Sequence, residues 1–63
     1  MSATKILNEA QSLSTVSARL DSMADQYPAV SEALLAISGN IRDYAVLLEL
    51  LATTRLSPDL ELQ

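Results

Sequence analysis

The residues able to do chemistry in this chain are few and of few kinds. Eight carboxylates are scattered along it, among them Glu9, Asp21, Asp25, Glu32, Asp43 and Glu49, and the basic side chains are Lys5, Arg19, Arg42 and Arg55. There is no histidine and no cysteine, and there is a single glycine. The chain therefore has no imidazole base, no thiolate nucleophile, no nitrogen or sulfur metal ligand and no glycine-rich phosphate loop. Carboxylates are its only strong metal ligands, and their spacing does not repeat a calcium loop. An acid–base pair of carboxylates is the one catalytic device left. It is not expected, because these acids fall mainly on the outer faces of the helices described below. The one compact polar and aromatic triplet is Arg42-Asp43-Tyr44. Arg19, Arg42, Asp43 and Arg55 are thus candidate ligand or ion-pair residues, and the expected chemistry is binding, with no catalytic residue, cofactor or metal.

The elements that would position these groups are helices. From Ile37 to Ala52 the chain carries its densest apolar run. Ile37, Ile41, Tyr44, Leu48 and Leu51 recur at alternating steps of four and three, the seam of a helix lying along another helix. Val46, Leu47 and Leu50 lie off that seam, and a helix apolar on flank and back as well is normally covered on more than one side. The expected interface is accordingly Ile37, Ile41, Tyr44, Leu47, Leu48, Leu50 and Leu51. The simpler alternative leaves Val46 and Leu47 as scattered surface residues.

Ahead of this helix a first one is predicted over about residues 3–25. Ser2 is its N-cap, and Lys5 stands where a capping-box acid would be. Its stripe runs through Ala3, Ile6, Ala10, Leu13, Ser17, Leu20, Ala24 and Tyr27, widened by Val16 and Met23. Asn8, Gln11, Ser14, Asp21 and Asp25 fall on the other faces. Serine and threonine between Ser12 and Ser17 are weak helix formers, and a break near Ser14 is the alternative to a continuous helix. The turn is expected at residues 26–28. A residue before proline is pushed out of the helical region, and proline suits the first position of a new helix, so helix two runs from Pro28 to about Thr54. Short helix connections give antiparallel neighbours. One long helix kinked at Pro28 is the rival.

A seven-residue repeat runs through both segments. One phase reads Ile6, Leu13, Leu20, Tyr27, Leu34, Ile41, Leu48. Another reads Ala3, Ala10, Ser17, Ala24, Ser31, Ser38, Ala45, Ala52. Small residues once per heptad let two helix backbones approach closely, near the short end of the usual ~8–10 Å range. Alternatively they fill the flank of the seam. Ser38-Gly39-Asn40 is a turn signal inside helix two, but Ile37 and Ile41 keep the heptad phase across it, so a continuous helix is expected. Gly39 is expected opposite the seam, either as a tolerated outer glycine or as a place of close approach for another chain. After Thr54, Arg55 opposes the helix dipole. Leu56-Ser57-Pro58-Asp59 then begins a tail, residues 55–63, expected to be frayed or to fold back through Leu56 and Leu60.

Sixty-three residues make one small domain, and cores of this size usually need disulfides, a metal or oligomerisation. With cysteine and histidine absent, oligomerisation remains. The expected architecture is all-α: an antiparallel two-helix hairpin that dimerises into a four-helix bundle. The net charge of −4 and dispersed basic residues argue against a surface that tracks phosphates. No apolar run approaches the ~18 residues of a membrane span, and MSATKILNEA lacks a signal-peptide core, so a soluble cytoplasmic protein is expected. In length and plan the chain resembles the Rop family of plasmid RNA-binding hairpin dimers. The likeness is one of architecture, no residue role is carried over from it, and the basic face that such a role needs is missing. The functional expectation is a small, acidic, homo-oligomeric, non-enzymatic module that binds another, unidentified protein as adaptor, chaperone or inhibitor. A nucleic-acid-binding hairpin dimer and an oligomer binding a small anionic ligand are the alternatives.

Overall fold

The computed structural model describes residues 2–54. Two α-helices of equal length, α1 (Ala3–Gln26) and α2 (Ser31–Thr54), pack against each other as an antiparallel hairpin. Ser2 caps α1 from an extended conformation, its hydroxyl accepting from the Lys5 N–H at 3.2 Å. This satisfies one of the donors that a helix start leaves unpaired.

The serine and threonine run does not break α1. Ser12 and Thr15 donate their hydroxyls back to the carbonyls of Asn8 and Gln11, each at 3.1 Å. Those hydroxyls find partners inside the helix and leave its backbone ladder intact.

The turn differs slightly from expectation. Helix one runs through Gln26, and only Tyr27, at φ −126° and ψ 77°, leaves the helical region. Pro28 does not open helix two. It opens a short 3-10 turn, Pro28–Val30, which hands over to α2 at Ser31. The pre-proline clash accounts for Tyr27, and the tight turn reverses the chain without any residue at positive φ among those described. Helix two is continuous through Gly39. A lone helical glycine costs about 1 kcal/mol against alanine, which packing along the whole helix outweighs. The expected tail, with Arg55, Leu56 and Leu60, lies outside the described residues.

The contact between the helices is made by the small residues. Ala10, Ser17, Ala24, Ser38, Ala45 and Ala52 are all buried, and Ile6 is the one large side chain buried with them among the described residues. Antiparallel packing that sets Ser17 against Ser38 also sets Ala10 level with Ala45, Ala24 with Ser31 and Ala3 with Ala52. Of the two roles open to the small heptad, close backbone approach is the one the structure adopts. No described helix is long and apolar enough to cross a membrane.

Candidate functional site: an open groove and a polar layer beside it

Of the seam expected on helix two, Ile41 and Leu48 are half-buried beside the contact, and the other three residues stand one position before the buried ones. Ile37 and Tyr44 are 50% and 62% exposed and Leu51 is also exposed, whereas their neighbours Ser38, Ala45 and Ala52 are buried. Large side chains at the contact would hold the backbones apart. The small ones allow the closer packing, and the large rows stand beside it. Leu13 and Leu20 of α1 and Leu34, Ile41 and Leu48 of α2 are half-buried along one side of the contact. Val16 and Met23, three residues on from Leu13 and Leu20, share that side with Ile37, Tyr44 and Leu51.

These rows flank an open groove. Toward the chain ends it widens into a cleft of about 580 Å³, walled by Ile6, Leu13, Leu48 and Leu51, with Lys5 and Glu9 at its edge. The cleft lining joins α1 and α2, which fixes the two rows on the same side of the hairpin. Leu47 and Leu50 line no part of it. Leu47 follows the buried Ala45 by two residues, about 200° around a helix. With Val46 and Leu50 it forms a second exposed apolar area on the far side of α2.

On the other side of the contact lies a polar layer that sequence reasoning missed. Asp21, expected on an outer face, turns toward α2. Its Oδ1 accepts from the Ser38 hydroxyl at 2.6 Å and its Oδ2 accepts from Arg42 Nη2 at 2.6 Å. The two serine hydroxyls are 2.7 Å apart. Each also lies in reach of the other helix's main chain, Ser17 Oγ 3.1 Å from the Ser38 carbonyl and Ser38 Oγ 2.9 Å from the Ser17 carbonyl. Such cross-reach requires closely packed backbones.

Ser38 has one proton to give. The ionised carboxylate is its strongest acceptor and the shortest contact, so the proton points to Asp21. Ser17 then donates to Ser38 Oγ. The result is a directed chain from Ser17 through Ser38 to Asp21, closed by Arg42, in which each bond polarises the next. The Ser38 hydrogen bond, and after it the Arg42 guanidinium, hold the Asp21 carboxyl below its ordinary value of 3.8 against the opposing effect of desolvation. No described buried side-chain nitrogen or oxygen is left unpaired.

This arrangement is poor catalytic material. A carboxylate made less basic than usual is a weak general base. Ser17 and Ser38, 1% and 0% exposed, are closed to any substrate. What the layer does well is fix register, since sliding one helix by a turn would bury the serines without partners. Its sequence signal was present: Asp21 follows Ser17, and Arg42 follows Ser38, by one helical turn each.

Of the candidate ligand or ion-pair residues, Arg42 is therefore paired within the chain. Arg19 and Asp43 are exposed and stand outside the layer; Arg55 lies outside the described residues. Among the described residues no cluster of carboxylates is arranged to hold a metal ion. No family model, curated protein or solved structure matches the chain.

Proposed function

We propose that this protein is a non-enzymatic, cytoplasmic interaction module whose working unit is a homodimer, two hairpins closing their grooves on each other as a four-helix bundle, and which acts by binding another protein. The observation that carries the reading is the composition of the hairpin's own interior. Its fully buried side chains are no larger than serine, while leucine and isoleucine stand half-buried or exposed along the groove. Alanine and serine supply little of the ~25 cal/mol per Å² that burial of apolar surface contributes. A second copy supplies what is missing, because it is present wherever the chain is made. The groove rows repeat every heptad along both helices, as the inner face of a four-helix bundle requires.

Closing the groove leaves Val46, Leu47 and Leu50 outside. This strip suits an amphipathic helix of a partner protein. Nucleic acid is a poor fit, since Arg42 is committed to Asp21 and acids outnumber bases by eight to four.

The two faces are separated by substitution. Ile41→Asp, in the groove, is expected to lower the sedimenting mass and the stability together. Leu47→Asp is expected to leave both nearly unchanged and to abolish capture of the partner protein. Unaltered mass and stability for Ile41→Asp would contradict the groove as the self-association face.

A further inference from the structure

The flank that carries the Asp21–Arg42 pair, away from the groove, has a surface of its own. Residues a heptad apart keep nearly the same direction on a helix. Leu7 stands two heptads before Asp21 on α1, and Leu35 stands one heptad before Arg42 on α2. Val46 follows Arg42 by one turn, and Leu50 follows Val46 by another. The register that sets Ser17 against Ser38 brings Leu7 level with the turn between Val46 and Leu50. These three exposed side chains, drawn from both helices, form one apolar patch toward the chain ends, and Leu35 is exposed nearer the loop. Between them lies Gly39, with nothing within 4 Å of where a Cβ would stand.

The charge on this flank has one sign. Asp25 follows Asp21 by one turn, Glu32 precedes Gly39 by a heptad and Glu49 follows Arg42 by a heptad; all three acids are exposed. The one base beside them among the described residues, Arg42, is held by Asp21 at 2.6 Å. Lys5 stands at the groove, and Arg19, two residues after the buried Ser17, lies about 200° round α1 from the contact.

Resting on the reading that the chain binds another protein, and independent of what closes the groove, we infer that this flank takes a basic amphipathic helix of that partner. Its apolar row lies over Leu7, Val46, Leu50 and Leu35 and crosses at Gly39, and its lysines or arginines stand beside Asp25, Glu32 and Glu49. From the Leu7 patch to Asp25 and Glu32 is about seventeen residues of helix, roughly 25 Å, so the partner helix has about five turns. An acidic helix, or a second copy of this acidic chain, would bring like charges together here with no free base to meet them.

Two synthetic peptides of about twenty residues serve as probes, alike in a leucine row along one face and differing in whether lysines or glutamates flank it. Fluorescence anisotropy against the full chain at low salt reads their affinities. The lysine peptide is expected to bind at least about tenfold more tightly, with the difference shrinking as salt is raised. Asp25→Asn combined with Glu32→Gln should remove most of that preference, and Asp43→Asn, on the far side of α2, should leave it. Gly39→Gln has room in the fold and favours helix, so it should abolish binding while circular dichroism still reports a folded chain. Equal affinities, no binding of the lysine peptide, or binding that survives Gly39→Gln would each overturn the inference. A fall in sedimenting mass on Gly39→Gln would also overturn it, by giving this flank to a second copy. In any of these cases, partner capture that Leu47→Asp still abolishes would leave the protein-binding reading standing; capture insensitive to Leu47→Asp would remove that reading as well.

Discussion

Ser17 and Ser38 occupy positions where the rest of the buried small series is alanine, and the difference lies in what their hydroxyls reach. Either serine changed alone to alanine strips the other of a buried partner, at a cost of about 1–2 kcal/mol. Changing both removes donor and acceptor together, and the loss should fall short of the sum of the single changes by about 1 kcal/mol. Urea denaturation of the four proteins measures that coupling; strict additivity would mean that the serines do not act as a pair. Asp21 adds a pH signature. Its carboxyl titrates lower in the folded chain than in the unfolded one, so the unfolded state takes up the proton first as pH falls. The stability it contributes is complete above the ordinary value of 3.8 and is lost as pH drops through the lowered one. Asp21→Asn should therefore flatten the acid limb of a stability-against-pH curve relative to the parent chain. An unchanged acid limb would remove Asp21 from the layer. The spacings Ser17 to Asp21 and Ser38 to Arg42 are legible in the sequence, but bringing the two pairs together depends on the antiparallel register, which the pattern of each helix taken alone does not fix.

At the scale of elements, the helices, the Ser2 cap and the reversal at Pro28 could be read directly. Heptad spacing, an N-cap hydroxyl and a proline act locally, within a turn or two of where they stand. Of the expected seam on α2, Ile41 and Leu48 are half-buried at the contact's edge, while Ile37, Tyr44 and Leu51 fall one residue away from the buried positions. Ile37 and Tyr44 look like core because large apolar residues usually are, yet closer backbone approach over Ser38, Ala45 and Ala52 decided the packing. Gly39 was expected opposite the seam. It follows Ser38 directly and stands at the contact's flank on the side of Arg42, away from the groove, with open space where a Cβ would sit. Gly39→Ala should thus stabilise the chain by about 0.5–1 kcal/mol through helix propensity, a rise of a few degrees in Tm. A lowered Tm would mean that another chain packs against α2 at that point.

At the scale of the whole molecule, the proposed homodimer rests on a hairpin whose fully buried side chains are no larger than serine while its large apolar rows stand half-buried or exposed. Folding and association should then be one process, because the unassociated hairpin lacks the burial that offsets chain entropy. The most direct measurement is thermal unfolding followed by circular dichroism over a hundredfold dilution series, with sedimentation equilibrium on the same samples. Coupled folding and association would lower Tm steadily with dilution, with helicity and dimer mass disappearing together. A Tm that does not move while the protein sediments as a folded single chain would contradict the account.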